Sequence, residues 1–433
     1  MKRKVYIDLL KWKKSPRRKP LILRGARQVG KTWLMKEFGR LEYHNYAYFN
    51  FEENVGLDSI LSQQFDVERI IADLSLVAGE RIEQEKTLII FDEIQASQYG
   101  LGSLKFFQEN ANKYHIVAAG SLLGLKMSGP KSFPVGKVNF LDLYPLSFIE
   151  FLEGIGKDMF VGLIQRRETV AEVLHEELNQ LLKRYLYTGG MPEVIATYLE
   201  TLDLREVREV QKEILRAYEL DFAKHASSTD APKITMIWNS LPSQLGRENK
   251  KFIYGALKTG ARAREYESAL QWLEDAGLVL KAYNVSQPSI PLKSYSKSNI
   301  FKIFMFDVGL LGAMADLSAK VLLEGDRLFK EFNGALTENY VAQALTAETL
   351  EALFYWTSRG TAEVDFLCQG EDEVIPLEVK AGMNLKGKSL KVYCQKYHVR
   401  TAAKMSLRNY KKEDWVIQYP LYSVSEFSRF LKE

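Results

Sequence analysis

The string Gly25-Ala26-Arg27-Gln28-Val29-Gly30-Lys31-Thr32 has the residue types that a phosphate group needs. Its glycines let the backbone wrap closely, so that successive N–H groups point inward at the phosphates. Lys31 would reach the β- and γ-phosphates, and the Thr32 hydroxyl would ligate Mg²⁺. The pattern G-x-x-x-x-G-K-[ST] follows the apolar run Leu21–Leu23 and opens an amphipathic stretch at Trp33, which is the strand–loop–helix context this loop requires. ATP and Mg²⁺ are therefore the expected ligands. Residues 25–32 and Trp33 are the expected nucleotide contacts.

Further along, Thr87–Phe91 is apolar throughout and ends in Asp92-Glu93. A strand of this kind is buried in a parallel sheet and delivers its last residues to the carboxyl edge, where α/β sheets bind ligands. Asp92 suits a grip on the Mg²⁺, and Glu93 would polarise the water that attacks the γ-phosphate. A third apolar run, His115–Ala119, ends in Gly120-Ser121. Ser121 would touch the γ-phosphate and report its loss, or else cap the helix that follows; both readings stand.

A second constellation lies near the carboxyl terminus, in TAEVDFLCQGEDEVIPLEVKAG, residues 361–382. It reads as two short strands joined by a turn. Asp365 interrupts the run of Val364, Phe366 and Leu367, and Glu378 and Lys380 sit two apart, on one face of the second strand. Cross-strand ion pairs and a metal-dependent nuclease site both fit these charges.

The remaining sequence bounds the setting. At 433 residues, with 46% hydrophobic and 26% charged residues, the chain has the composition of a soluble globular protein of about two to four domains. No apolar run approaches the roughly 18–20 residues that span a bilayer. The start MKRKVYIDLLKWKKSPRRKP has no apolar core for secretion, and two cysteines exclude a disulfide framework. The expected location is the cytoplasm, with no membrane partner. Net charge is +4, unevenly spread: the first 24 residues carry ten Lys or Arg against Asp8 alone, and residues 380–412 carry ten with no acid. Solvated faces and a polyanion such as DNA are both consistent with this.

Stepwise alternation of apolar strands (21–23, 46–51, 87–91, 115–119) with helical segments predicts a doubly wound parallel sheet. From about residue 146 spacings of three and four predict helices, forming a lid over the nucleotide or a linker. An arginine acting on a neighbour's γ-phosphate would imply a homo-oligomer, but no spacing singles one out. Residues 234–285 read as helix, turn, helix, strand, the order of a winged helix. Arg247, Lys250, Lys251, Lys258, Arg262 and Arg264 lie ahead of and on its second helix. Such residues would contact DNA phosphate, although protein packing is an equal use of the unit.

The strings LRGARQVGKT, FDEIQ, AAGSLLG, FPVGKV with LYPLSFIEFL, TGGMPE, LDFAKH, GALTENYV, EVDF and IPLEVKAG occur in this order. In this the chain resembles, from about residue 5 to 425, a prokaryotic family of AAA-type P-loop ATPases. The family carries a C-terminal domain of unknown function related to the PD-(D/E)xK nucleases. The resemblance implies an α/β fold with an ATPase core (1–145), a helical lid or linker (146–230), a winged-helix-like unit (231–297) and a nuclease-like domain (298–433). It implies Asp365 and Glu378 as Mg²⁺ ligands, with the Val379 carbonyl as a third. Lys380 would orient the attacking water or neutralise the phosphate, and Glu338, the acid on the domain's first helix, would be a further metal ligand. The expected function is a Mg²⁺-dependent ATPase that acts on or near DNA, with an ATP-regulated nuclease. The alternative is a nucleotide-regulated switch whose last domain grips DNA or protein without cutting.

Overall fold

The computed structural model describes residues 1–433 except 55, 63–65, 121–133, 248–250, 325–329, 359–361, 383–387, 414 and 432–433; the side chains of 324, 330 and 331 are also outside the description. The chain divides into two units, residues 1–144 with 275–277, and residues 145–274 with 278–433.

Among the described residues the first unit is built on five parallel strands: β1 (Leu21–Arg24), β2 (Asn45–Asn50), β3 (Thr87–Asp92), β4 (His115–Ala119) and β5 (Asn139–Asp142), in the order β2-β3-β4-β1-β5. The apolar runs become strands because helices cover the sheet, so residues on both faces are buried; β3 and β4 are buried at every position. Ile22, Phe49, Ile89, Phe91 and Ile116 join one core with Leu101, Leu104 and Phe107 of the helix Gly100–Asn110. The helix Lys31–Glu42 buries Leu34, Met35 and Phe38, the spacing of one helical face. Strand β5 was not expected from the sequence. It is short, its Phe140 is partly exposed, and its four residues have no apolar run to announce them.

The second unit begins with helices, among them Glu172–Thr188, Pro192–Thr201 and Leu204–His225, so the expected lid residues belong to this unit. Its sheet has eight strands among the described residues: β6 (Val279–Val285), β7 (Ser296–Met305), β8 (Leu353–Thr357), β9 (Glu363–Gln369), β10 (Val374–Val379), β11 (Ala402–Ser406), β12 (Lys411–Lys412) and β13 (Val416–Pro420). They are ordered β12-β13-β11-β10-β9-β8-β6-β7.

The helix–helix–strand order expected of a winged helix is present as the helices Ala231–Leu245 and Ala263–Asp275 followed by the β6–β7 hairpin. That hairpin is no separate wing. β6 pairs in parallel with β8, and the hairpin forms one edge of the large sheet. The expected boundary at 297/298 falls inside β7.

The helix Lys330–Thr349 packs against β6, β7, β8 and β10. Its polar residues tie it down: Asn339 accepts from Met305 N (2.7 Å) and donates to Met305 O (2.9 Å), while Gln343 accepts from Val308 N (2.8 Å). Val364 of β9 points the other way, into a core with Leu390 and Tyr393 of the helix Lys388–Tyr397. Asp365 and Glu363 therefore face the helix Lys330–Thr349.

Candidate functional site

The P-loop is shaped by its backbone. Gln28 and Gly30 take left-handed conformations (φ 62° and 93°), and Gly30 sits at the amino end of the helix that begins with Lys31. A φ of 93° is outside what a side chain tolerates, which is why glycine stands there. Gly25 is needed for a different reason: a Cβ there would lie 2.3 Å from the Leu143 carbonyl oxygen. The loop is braced from the amino-terminal segment. Arg3 donates to Val29 O at 3.0 Å and to Tyr144 O at 2.6 Å, an anchor no motif announced.

Lys31 is buried and donates to Gly25 O (3.0 Å) and Ala26 O (2.8 Å). Burial lowers its pKa to about 8, against the opposing pull of Glu93 and Asp92. The Thr32 hydroxyl donates to Asp92 Oδ2 at 2.6 Å. Tyr48 donates to the same oxygen at 3.0 Å, and Glu93 N to Asp92 Oδ1 at 3.1 Å. Asp92, at the end of β3, is thus held from three directions and is 3% exposed. Glu93 has φ 50°, an uncommon conformation for a residue with a side chain, and its Oε2 accepts from Gln95 Nε2 at 2.5 Å. Trp33 is exposed at the start of the helix. Ser121 lies outside the described residues. A hydroxyl already bonded to a fixed carboxylate is a donor set that fits Mg²⁺, which prefers hard oxygen ligands.

The second cluster forms on the face of the large sheet covered by the helix Lys330–Thr349. The antiparallel register sets Phe366 opposite Leu377, so Asp365 and Glu378 follow as neighbours on adjacent strands. Asp365 Oδ2 accepts from Val379 N at 2.8 Å. Glu378 Oε1 lies 3.1 Å from Lys380 Nζ, and its Oε2 is buried with no hydrogen-bond partner among the described residues. Burial works against the Lys380 charge, but Asp365 and Glu378 raise its pKa above the ordinary lysine value. Two carboxylates, one with a buried unpaired oxygen, beside an ammonium are a donor set that suits Mg²⁺, which takes one or two carboxylates and keeps its waters.

Glu338 meets a second cation of the cluster. Its Oε2 lies 3.7 Å from the ammonium of Lys302, a fully buried residue of β7. Lys302 also meets Glu363 Oε1 at 2.5 Å and lies 4.9 Å from the centre of the Tyr355 ring. Burial disfavours its charge, yet Glu338, Glu363 and Asp365 raise its pKa well above the ordinary value. Among the described residues no group of three or more His, Cys, Asp or Glu is placed to hold a metal ion. Glu338, expected as a metal ligand, lies against a lysine that sequence spacing did not reveal.

Residues 17–152 match the AAA domain. The first unit carries an AAA-type P-loop ATPase domain. Nucleotide binding follows from that P-loop fold. Residues 179–321 and 333–423 match two domains of unknown function, DUF8612 and DUF4143. An uncharacterized protein of Methanocaldococcus jannaschii is 26% identical over 253 residues, which are 51% of this chain and 52% of the relative; the match spans about half of that protein's length. Among solved structures, the Walker-type ATPase of Pyrococcus abyssi aligns at 15% identity with a TM-score of 0.46, covering 72% of this chain and 95% of the other. Cdc6p from Pyrobaculum aerophilum aligns at 12% identity with a TM-score of 0.27, covering 74% and 92%.

The basic residues ahead of and on the helix Ala263–Asp275 are exposed at Arg247, Lys251, Lys258, Arg262 and Arg264, while Lys250 lies outside the described residues. The same helix buries Tyr266, Ala269, Leu270 and Leu273, so its charged face is turned to solvent. Among the described residues no helix is long and apolar enough to cross a membrane.

Proposed function

We propose that the AAA-type domain binds ATP with Mg²⁺ and hydrolyses it, and that the chain acts on or near DNA through a C-terminal nuclease-like site regulated by that ATPase. The observation that carries the first part is the pre-assembled pair of Thr32 and Asp92, 2.6 Å apart, beside the buried Lys31. Mg²⁺ bound by Thr32, with Asp92 behind it, would draw negative charge from the β- and γ-phosphates. Lys31 leaves the Gly25 and Ala26 carbonyls for the phosphates and neutralises their charge. Glu93, steadied by Gln95, takes the proton of the attacking water. Lys31→Ala is expected to abolish ATP turnover with an unchanged circular dichroism spectrum; full turnover would remove the P-loop assignment.

The DNA reading is supported by the exposed basic residues Arg247, Lys251, Lys258, Arg262 and Arg264, ahead of and at the start of the helix Ala263–Asp275, and by the buried, unpaired Glu378 oxygen next to Asp365 and Lys380. Lys380 would orient or neutralise a phosphodiester there, and Asp365 and Glu378 would hold the Mg²⁺. Metal-dependent nicking of supercoiled plasmid by the wild type, absent in Asp365→Ala and Lys380→Ala, is the expected result.

One observation favours the second reading, a nucleotide-regulated switch that grips its partner without cutting. Lys302 already neutralises Glu338 and Glu363, which leaves few acids for metal chemistry. If the wild type never nicks while salt-sensitive DNA binding survives both substitutions, the switch replaces the nuclease.

A further inference from the structure

The C-terminal cluster has a cation that belongs to the chain. Lys302 comes from β7, on the far side of β6 and β8 from the strand bearing Glu363 and Asp365. Its partner on β6 is Ala282, whose small side chain leaves the lysine stem room to lie across the sheet. The ammonium then sits beneath the helix Lys330–Thr349, within 3.7 Å of Glu338 and 2.5 Å of Glu363. Lys302 is 0% exposed, so it cannot withdraw into solvent to admit another ion. A charge removed from water this completely persists only when paired, and both of its partners are carboxylates.

We infer that Lys302 is a permanent counter-cation that confines the cluster to a single divalent ion, held by Asp365 and Glu378. Formally, four carboxylates (Glu338, Glu363, Asp365 and Glu378) face two ammoniums (Lys302 and Lys380), a remainder of two negative charges that one divalent ion balances. A second ion would need Glu338 or Glu363, and both lie within ion-pair distance of the lysine, Glu363 in a hydrogen bond and Glu338 at 3.7 Å. Any phosphodiester chemistry at this site would therefore be of the one-metal kind, with Lys302 supplying fixed positive charge beside the ion's ligands. Lys302 is a positioning residue: it holds Glu363, faces Glu338 and fixes the charge of the pocket.

The inference rests on the reading of Asp365 and Glu378 as metal ligands, and the test separates the two. Mn²⁺ would be titrated into the nucleotide-free full-length chain and counted by electron paramagnetic resonance. One ion per chain that disappears in Asp365→Asn is expected. Glu338→Gln should keep that ion with affinity within about threefold of the wild type. Lys302→Met, which releases Glu338 and Glu363, should gain a second ion or bind the first at least about tenfold more tightly. Two ions in the wild type, both lost in Asp365→Asn, would overturn the inference and leave the metal reading standing. Loss of the ion in Glu338→Gln as complete as in Asp365→Asn would do the same. No ion lost in Asp365→Asn would overturn the metal reading itself, and the inference with it. If Lys302→Met does not fold, the wild-type count and Glu338→Gln still decide the matter.

Discussion

Thr32 and Asp92 are joined by a 2.6 Å hydrogen bond, which ties the end of β3 to the start of the P-loop helix. Replacing Asp92 by Asn keeps the size but removes the charge that orients the Thr32 hydroxyl. Residues standing behind a metal ligand typically contribute 10- to 100-fold in metal affinity. Asp92→Asn is expected to weaken Mn²⁺–ATP binding by about that factor while metal-free ATP binding changes little. Isothermal titration with and without the metal measures both.

Lys31 gives the nucleotide site a pH dependence. Its pKa of about 8 in the free chain will rise when phosphates replace carbonyls as its partners. Above pH 8, binding must take up a proton, so affinity should fall by up to about tenfold per pH unit. The stability of the nucleotide-free chain runs the opposite way. An unfolded lysine titrates near 10.5, so between 8 and 10.5 the unfolded state binds more protons and stability rises with pH. A fluorescent ATP analogue titrated from pH 7 to 9.5 should show the fall, and Lys31→Arg should flatten it.

Arg3 holds two carbonyls, Val29 O in the P-loop and Tyr144 O. Arg3→Ala leaves them without that donor, and an unsatisfied buried polar group costs about 1–3 kcal/mol. A lower melting temperature is expected, together with weaker nucleotide binding as the loop loses its brace. Unchanged ATP affinity in Arg3→Ala would confine the residue to a stabilising role.

Gly309 packs where no side chain fits: a Cβ would lie 2.4 Å from Thr188 O and 2.5 Å from Gly189 N. The neighbouring Asp307 carboxylate accepts from Gly190 N at 2.7 Å and Leu310 N at 3.0 Å, which locks the glycine pair of TGGMPE against the helix Val308–Met314. Gly309→Ala should force these backbones apart at a cost of about 1–3 kcal/mol, the usual range for overpacking. Chemical denaturation reads it directly, and a neutral result would show that the turn gives way.

The ATPase half was legible because its chemistry is local. Eight consecutive residues make the P-loop, and an unbroken apolar run locates Asp92 at a strand end. Strand β5 was hidden by its shortness. In the C-terminal half, Asp365, Glu378 and Lys380 could be placed on a hairpin by their alternation. Lys302 could not, because 36 residues separate it from Glu338 and 61 from Glu363, and only the strand order of the sheet unites them. Within FKIFMF it reads as one charge in a buried strand. The helix–helix–strand order is legible as a succession of elements, but its allegiance is decided by a parallel pairing that no local signal encodes.

That pairing of β6 with β8 has a consequence for inheritance. Residues 179–321 and 333–423 match separate domains, yet one hydrogen-bonded sheet runs through both. Neither piece can be traded to another protein without baring a raw sheet edge, an invitation to aggregate. Recombination within this lineage should therefore respect the pair as one heritable block, with the break points falling outside it.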